Sequence, residues 1–193
     1  MLRVRIITGS ARGARLKTPK GQQTRPTADR VKESVFNILG PMVRGRRVLD
    51  LFSGTGNLGL EAVSRGAASA VLVDQATGAL MRENAEHTHL AARVRVESGD
   101  VFSRLRAFAA RGEQYDLVFC DPPYHIGLWQ KALQCLDMGK VLARDGILIV
   151  EHGADEDELP ELQGLVRVEH RRYGHTTQVS FFQWKDWIEE ASS

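Results

Sequence analysis

Cysteine is nearly absent from this chain, with two residues in 193, Cys120 and Cys135. Their spacing matches neither a metal-binding nor a redox pair, so a disulfide framework, a zinc centre and dithiol chemistry are not expected. Cys120 sits in an apolar run and reads as a buried structural thiol, not a nucleophile. No run of about 18 apolar residues occurs, and the basic start of the chain has no apolar signal core. A cytoplasmic chain with no membrane span is therefore expected. Internal repeats and low-complexity tracts are missing as well. Histidine offers little: His87 and His89 are two apart on an expected helix and share no face, so a zinc site is not expected there. His125 follows Tyr124 and reads either as a substrate contact or as a loop histidine with no role, and Trp184 and Trp187 read as edge packing. What remains is ordinary globular composition, 42% hydrophobic and 26% charged, enough for one α/β domain with a small appendage and too short for two large ones.

The formal charge of +2 hides an asymmetry. Residues 1–47 carry twelve Lys/Arg against Asp29 and Glu33, a net +10, and the rest of the chain is −8. A basic segment on an acidic body is a directed footprint whose usual partner is a polyanion, nucleic acid foremost.

Arg3–Thr8 and Ala14–Thr18 alternate polar with apolar residues around Gly9-Ser10-Ala11-Arg12-Gly13, the pattern of a β-hairpin with outward arginines. Thr27 is placed as a helix N-cap, with Val31, Val35, Ile38 and Leu39 at helical spacing up to Gly40-Pro41. This extension, residues 1–45, is too small for its own core and must lean on residues 46–193. There the pattern becomes strands at Arg47–Phe52, Ala68–Val73, Val94–Glu97, Tyr115–Cys120 and Gly146–Glu151. Helices are expected between them near Leu58–Arg65, Ala76–Leu90, Val101–Ala110 and Leu128–Leu142. Such alternation implies a parallel, doubly wound α/β sheet with right-handed crossovers. Asp155–Glu158 reads as an exposed connector, and Leu165–Tyr173 and Gln178–Trp184 as two antiparallel strands added to the sheet. The fold class expected is α/β, a seven-stranded mixed sheet whose last strands are antiparallel.

Chemistry concentrates at strand ends. Asp50-Leu51-Phe52-Ser53-Gly54-Thr55-Gly56-Asn57-Leu58-Gly59 leads from a strand into a helix, with Gly54, Gly56 and Gly59 at dinucleotide-binding spacing. Asp74 lies 20 residues after Gly54, where an acid takes ribose hydroxyls. Asp50 argues against a pyrophosphate, which wants donors and a helix dipole rather than a carboxylate. S-adenosylmethionine, with an adenosine, a sulfonium and an ammonium but no phosphate, suits the arrangement better. Asp100 follows the third strand, as an acceptor for the adenine amine, a helix N-cap, or both. Asp121-Pro122-Pro123-Tyr124 ends the fourth strand in a rigid turn that combines an acidic acceptor, free carbonyls and an aromatic face, suited to a planar ligand bearing an NH2 group. Four acids on four successive strand ends, where doubly wound sheets bind ligands, make a site.

The glycine loop together with Asp121-Pro122-Pro123-Tyr124 resembles the class I methyltransferases that modify exocyclic amino groups, which have a Rossmann-like fold. Thr24–Leu39, Ile7-Thr8-Gly9 and Tyr173-Gly174 narrow the resemblance to the RsmD family, over nearly the whole chain. The departure is Thr8-Gly9 where the family often has Gly-Gly. The resemblance implies methyl transfer from S-adenosylmethionine to the N2 of a guanine in 16S ribosomal RNA, guanine 966 in the usual RNA numbering, by a cytoplasmic monomer acting on RNA or the small ribosomal subunit. Under it, Asp121, Pro122, Pro123 and Tyr124 are the catalytic set. Asp50, Ser53, Gly54, Thr55, Gly56, Gly59, Asp74, Gln75, Asp100, Val101 and Thr27 form the cofactor set. Arg12, Arg15, Lys17, Arg25, Arg30 and Lys32 form the RNA set, although Arg25, Thr27 and Arg30 could instead close over the methionine end of the cofactor. No metal is implied.

Rival readings stand beside this one. DNA adenine-N6 or protein glutamine methylation uses the same turn, but no large target-recognition domain is present for DNA. Cytosine-C5 chemistry needs a nucleophilic cysteine, often after proline, and here Cys120 precedes Asp121. A non-catalytic RNA-binding assembly protein is the reading from another class, and cofactor binding discriminates it.

Overall fold

The computed structural model describes residues 4–19 and 26–193. They fall into two compact units, residues 1–100 and 101–193.

The first unit opens with the hairpin. Arg5 and Arg15 form an antiparallel bridge, flanked by bonds of 2.9 Å from Ile6 N–H to the Ala14 carbonyl and from Leu16 N–H to the Val4 carbonyl. Val4, Ile6 and Leu16 are buried while Arg5 and Arg15 are exposed, the alternation expected. The pairing stops at one bridge, short of the two full strands expected, because the next donors are used elsewhere. Ile7 and Thr8 donate to the Glu61 carboxylate, Ser10 to the Ser64 carbonyl and Ala11 to Ser64 Oγ. Gly9 (φ +91°) lies so close to the backbone at Ser64 that a Cβ there would stand 1.8 Å from the Ser64 carbonyl oxygen.

Helix α1 (Pro26–Leu39) buries Val31, Val35, Phe36 and Leu39 along one face and runs into a short 3-10 turn, Gly40–Val43. It opens on proline, whose missing N–H costs nothing at the first position. Thr27 therefore lies in the first turn and is not the cap expected. Strands β1 (Arg47–Leu51), β2 (Ser69–Asp74) and β3 (Val94–Ser98) then alternate with helices α2 (Asn57–Ser64) and α3 (Gly78–His87). The strands are parallel in the order β3-β2-β1. Val48, Leu49, Asp50 and Leu51 are all buried, as befits a strand covered on both faces.

The polar interior of this unit centres on Glu61 of α2, fully buried. Its carboxylate accepts from Ile7 N–H at 2.8 Å, Thr8 N–H at 3.0 Å and Arg65 Nε at 2.8 Å, and pairs with Lys32 Nζ at 3.2 Å. Lys32, on α1, is itself buried and donates to the Arg5 carbonyl and to Asn57 Oδ1. Burial pulls its ammonium pKa down, against the pull of Glu61 in the other direction. Hairpin, α1 and α2 share one charge network.

The second unit holds α4 (Val101–Ala110), β4 (Tyr115–Cys120), α5 (Leu128–Gly139), β5 (Leu142–Gly153), β6 (Leu165–Tyr173), β7 (Thr177–Trp184) and α6 (Lys185–Ala191). Strand β4 pairs parallel with β5, β5 antiparallel with β7, and β7 antiparallel with β6. The seven strands make a mixed sheet, as expected. In this unit the end of α5 and the start of β5 differ most from expectation. Helix α5 ends at Gly139 because Lys140 turns left-handed at φ +52°, so Leu142 and Ala143 belong to β5. The extra residues are taken up in a bulge, with Leu142 opposite Tyr115 and Ile147 opposite Leu117. Helix α6 was not expected at all. Asp137 of α5 accepts from three successive backbone donors, Gln163, Gly164 and Leu165, at 2.6, 2.9 and 2.7 Å, which fixes the start of β6. In the connector, Asp155, Asp157 and Glu158 are exposed, and Asp157 pairs with Arg167.

Among the described residues no helix is long and apolar enough to cross a membrane, and no cluster of His, Cys, Asp and Glu could hold a metal.

Replacing Glu61 by alanine leaves Lys32 buried without its countercharge and two backbone donors unpaired. A loss of about 3–5 kcal/mol is expected, read from urea unfolding, with the hairpin becoming the first site of limited proteolysis. A loss below about 1 kcal/mol, the scale of an exposed pair, would show that the network does not hold the hairpin.

Candidate active site

In the first unit the glycine loop leaves β1 through Phe52, held left-handed at φ +58°. That conformation is rare for an aromatic residue and costs about 1–3 kcal/mol, and such strain gathers where a loop is shaped for a ligand. Ser53 N–H anchors the loop to the Val73 carbonyl of β2 at 3.0 Å. The three glycines serve different ends. Gly54 needs its φ of +58°, and a Cβ there would meet nothing within 4 Å, so open space lies over it. Gly56 caps α2 at φ +85°. Gly59 has no room for a side chain, since a Cβ would stand 2.2 Å from Leu72 Cδ2 and 3.3 Å from Asp50 Oδ2.

Asp50 and Asp74 divide the work. Asp50 is buried beneath the loop, where Oδ2 accepts from Ser53 Oγ at 2.7 Å and from Gly59 N–H at 2.9 Å. Burial pushes its pKa up to about 6; the Ser53 and Gly59 bonds oppose that shift and the charge of Asp74 adds to it. Asp74 is half-buried and organises the rim. It accepts from Gly54 N–H at 3.0 Å with one oxygen, and from Ala76 and Thr77 N–H at 2.8 and 3.1 Å with the other. Two carboxylates, with the Gly54 amide already engaged, make a poor cradle for phosphate and a compatible one for an uncharged ribose or a cation. The residues present thus fit the nucleoside and the ammonium of S-adenosylmethionine. Gln75 is exposed beside Asp74, and Asp100 is exposed where this unit ends. Thr55 is fixed through its carbonyl, which accepts from Asn84 Nδ2 at 2.9 Å.

In the second unit Asp121-Pro122-Pro123-Tyr124 leaves the end of β4. Pro122 is buried, Pro123 exposed, and Asp121 and Tyr124 half-buried. The Tyr124 hydroxyl donates to Glu151 at 2.5 Å on β5 and lies 3.2 Å from Thr177 Oγ1, at the start of β7. Burial drives the Glu151 carboxyl pKa up, and burial beside Glu151 drives the Tyr124 phenol far up. The phenol therefore stays protonated as a donor, and the ring is pinned at its outer edge. Next to Glu151, His152 is fully buried, stacked on Trp129 with ring centroids 4.4 Å apart. Its Nδ1 meets the Gly153 carbonyl and its Nε2 meets Ser180 Oγ. A carbonyl only accepts, so Nδ1 carries the proton and the ring is a neutral core element, its pKa lowered by burial. Val101 is buried at the first position of α4.

The basic set is partly corrected. Lys32 cannot meet RNA: its side chain is 1% exposed and bound inside the first unit, because the Glu61 carboxylate needs a buried countercharge. Lys17 is exposed but pairs with Glu83. Arg12, Arg15 and Arg30 are exposed. Arg25 and the Thr27 side chain lie outside the described residues. Sequence reasoning missed Glu151, Thr177, Glu61 and Asn84. Glu151 carried a signal, as a fifth acid at the end of a fifth strand; the others carried none.

A model of the family described as Conserved hypothetical protein 95 matches residues 4–183. The chain belongs to this family. It is the RsmD family that the sequence motifs resemble. Among its relatives, the putative rRNA methyltransferase YlbH of Bacillus subtilis is 40% identical over 176 residues, 90% of this chain and 95% of that one. Ribosomal RNA small subunit methyltransferase D of Escherichia coli strain K12 is 39% identical over 150 residues, 77% of this chain and 74% of that one. Among solved structures, the putative methyltransferase yhhF from Escherichia coli superposes with a TM-score of 0.82 at 34% identity, covering 95% of this chain and 98% of the other. A putative methyltransferase complexed with SAH shares the fold at 20% identity, with a TM-score of 0.67 over 82% of this chain and 50% of that one.

The raised Asp50 gives a pH signature. Stability from the protonated carboxyl is fully present below about pH 4 and is lost as pH rises through about 6. Asp50→Asn, which stays neutral, should gain on the parent protein over that window by up to about 3 kcal/mol, read as the difference between urea-unfolding free energies of the ligand-free proteins from pH 4 to 7.5. A flat difference would mean that Asp50 ionises inside without cost.

Proposed function

We propose that this protein transfers a methyl group from S-adenosylmethionine to the exocyclic N2 of a guanine in small-subunit ribosomal RNA. The observation that carries the reading is the pinned turn after β4, where Tyr124, tied to Glu151 and Thr177, offers a fixed aromatic face next to Asp121 and the two prolines. The family, and relatives named as ribosomal RNA methyltransferases, support the reaction class. The guanine N2 target rests on the resemblance of Asp121-Pro122-Pro123-Tyr124 to the amino-group methyltransferases.

When bound, S-adenosylmethionine supplies a methyl already activated by the positive charge on sulfur, so the protein needs no metal and no covalent nucleophile. Alignment is the task left to it. Gly54, Gly56 and Gly59 would admit the nucleoside against the loop, Asp74 would take the ribose hydroxyls and Asp100 the adenine amine. A guanine splayed out of its stack would lie on the Tyr124 ring. The Asp121 carboxylate and the Pro122 carbonyl would accept its N2 hydrogens, turning the nitrogen lone pair toward the methyl. The bound cofactor would supply the methyl and keep the C–S electron pair, and Asp121 or water would take the surplus N2 proton. Arg12, Arg15 and Arg30 would hold RNA phosphates, with the salt dependence that such contacts bring.

The deciding experiment is methyl transfer from labelled S-adenosylmethionine to naked 16S RNA and to small subunits lacking the modification, followed by nucleoside analysis. N2-methylguanosine is the expected product, and transfer to DNA adenine or a protein glutamine instead would replace the proposed substrate. Asp121→Ala should bind S-adenosylhomocysteine normally while transfer falls about 10²-fold or more; near-normal turnover would remove Asp121 from the chemistry.

A further inference from the structure

Two buried side chains join the basic hairpin to the glycine loop, and the chemistry above uses neither. Asn84, fully buried on α3, lays its amide along Lys17: Oδ1 accepts from the Lys17 N–H at 2.8 Å and Nδ2 donates to the Lys17 carbonyl at 3.0 Å. The same Nδ2 donates to the Thr55 carbonyl at 2.9 Å. On the other arm of the hairpin, the Lys32 ammonium donates to the Arg5 carbonyl and, at 2.7 Å, to Asn57 Oδ1. Arg5 and Lys17 thus anchor both arms near the Arg5–Arg15 bridge, and the residues they reach, Thr55 and Asn57, flank Gly56. The backbone of each arm faces the loop while its cations face out, Arg5 and Lys17 with side chains 62% and 56% exposed.

We propose that Asn84 and Lys32 are positioning residues that splint the basic hairpin to the glycine loop, so that RNA on the hairpin and S-adenosylmethionine on the loop strengthen each other's binding. The inference rests on the functional reading for the identity of the two ligands. The splint itself follows from the burial of both side chains: neither can exchange a lost partner for water, so the hairpin and the loop order together. A ligand that orders one spares the other part of its ordering cost, and such coupling is reciprocal by thermodynamic necessity.

The test measures S-adenosylhomocysteine affinity by calorimetry, without and with saturating naked 16S RNA, and RNA affinity with and without S-adenosylhomocysteine. In the unaltered protein each ligand should tighten the other by the same factor, about fivefold or more. In Asn84→Ala, and in the milder Asn57→Ala, which removes one acceptor of Lys32 from a half-buried position, the factor should fall to about one while the unfolding transition stays cooperative. Arg12→Ala should weaken RNA binding and leave the factor intact, which separates lost charge from a lost splint. A factor of one in the unaltered protein, or an undiminished factor in both asparagine variants, would overturn the proposal. If the unaltered protein does not bind S-adenosylhomocysteine, the functional reading fails on its own account. Amide exchange then decides the splint: faster exchange at Gly56 and Asn57 in Asn84→Ala sustains it, and unchanged exchange refutes it.

Discussion

A single carboxylate inside the first unit sets conditions for everything around it. Glu61 is out of reach of water, and a buried charge persists only if it is paired and hydrogen-bonded. Its partners come from three places in the sequence: two amides of the hairpin, the ammonium of Lys32 on α1, and the guanidinium of Arg65 one turn along α2. None of these segments can be withdrawn without leaving the acid uncompensated. A hairpin with one bridge and four buried apolar residues would not stand alone. It is held because its amides complete the coordination of an acid that belongs to the sheet-and-helix body.

The acids at the strand ends illustrate how position decides the role of a side chain. Asp50 is sealed under the loop and holds Ser53 and Gly59 in place, whereas Asp74 sits at the rim and gathers three amides. Glu151 is the counterpart in the second unit, half-buried and spent on one phenol. In each case a carboxylate fixes geometry, and fixed geometry is what a reaction between an activated methyl and a weakly nucleophilic amine requires.

Much of this was legible in the chain. The buried strands betrayed themselves by runs that are mostly apolar, β4 to the residue, and the glycine spacing announced a loop in which Gly56 takes a positive φ and Gly59 leaves no room for a side chain. The mixed sheet and the family followed from the same features. Where the reading failed, the cause was a tertiary contact. Lys32 looks like any surface cation until Glu61 is found beside it, 29 positions away in a helix whose sequence gives no hint of a buried acid. The end of α5 was misplaced because the left-handed residue is Lys140, not the glycine before it. Asn84 was invisible, since a lone asparagine on an amphipathic helix has no signature for the two backbone segments it bridges.

The clamp at Asp137 has a consequence for how this protein can change. Three amides at 163–165 are locked to one helix residue, and the other end of the connector is closed by Glu156, which accepts from Gly153 N–H. Both exits of the acidic segment are thus fixed independently of what lies between them. Loop closure costs grow only slowly with length, so residues 158–162, beyond the Asp157–Arg167 pair, can lengthen or diversify without shifting the register of β6. That makes the segment a natural port for a grafted peptide, an epitope or an added domain.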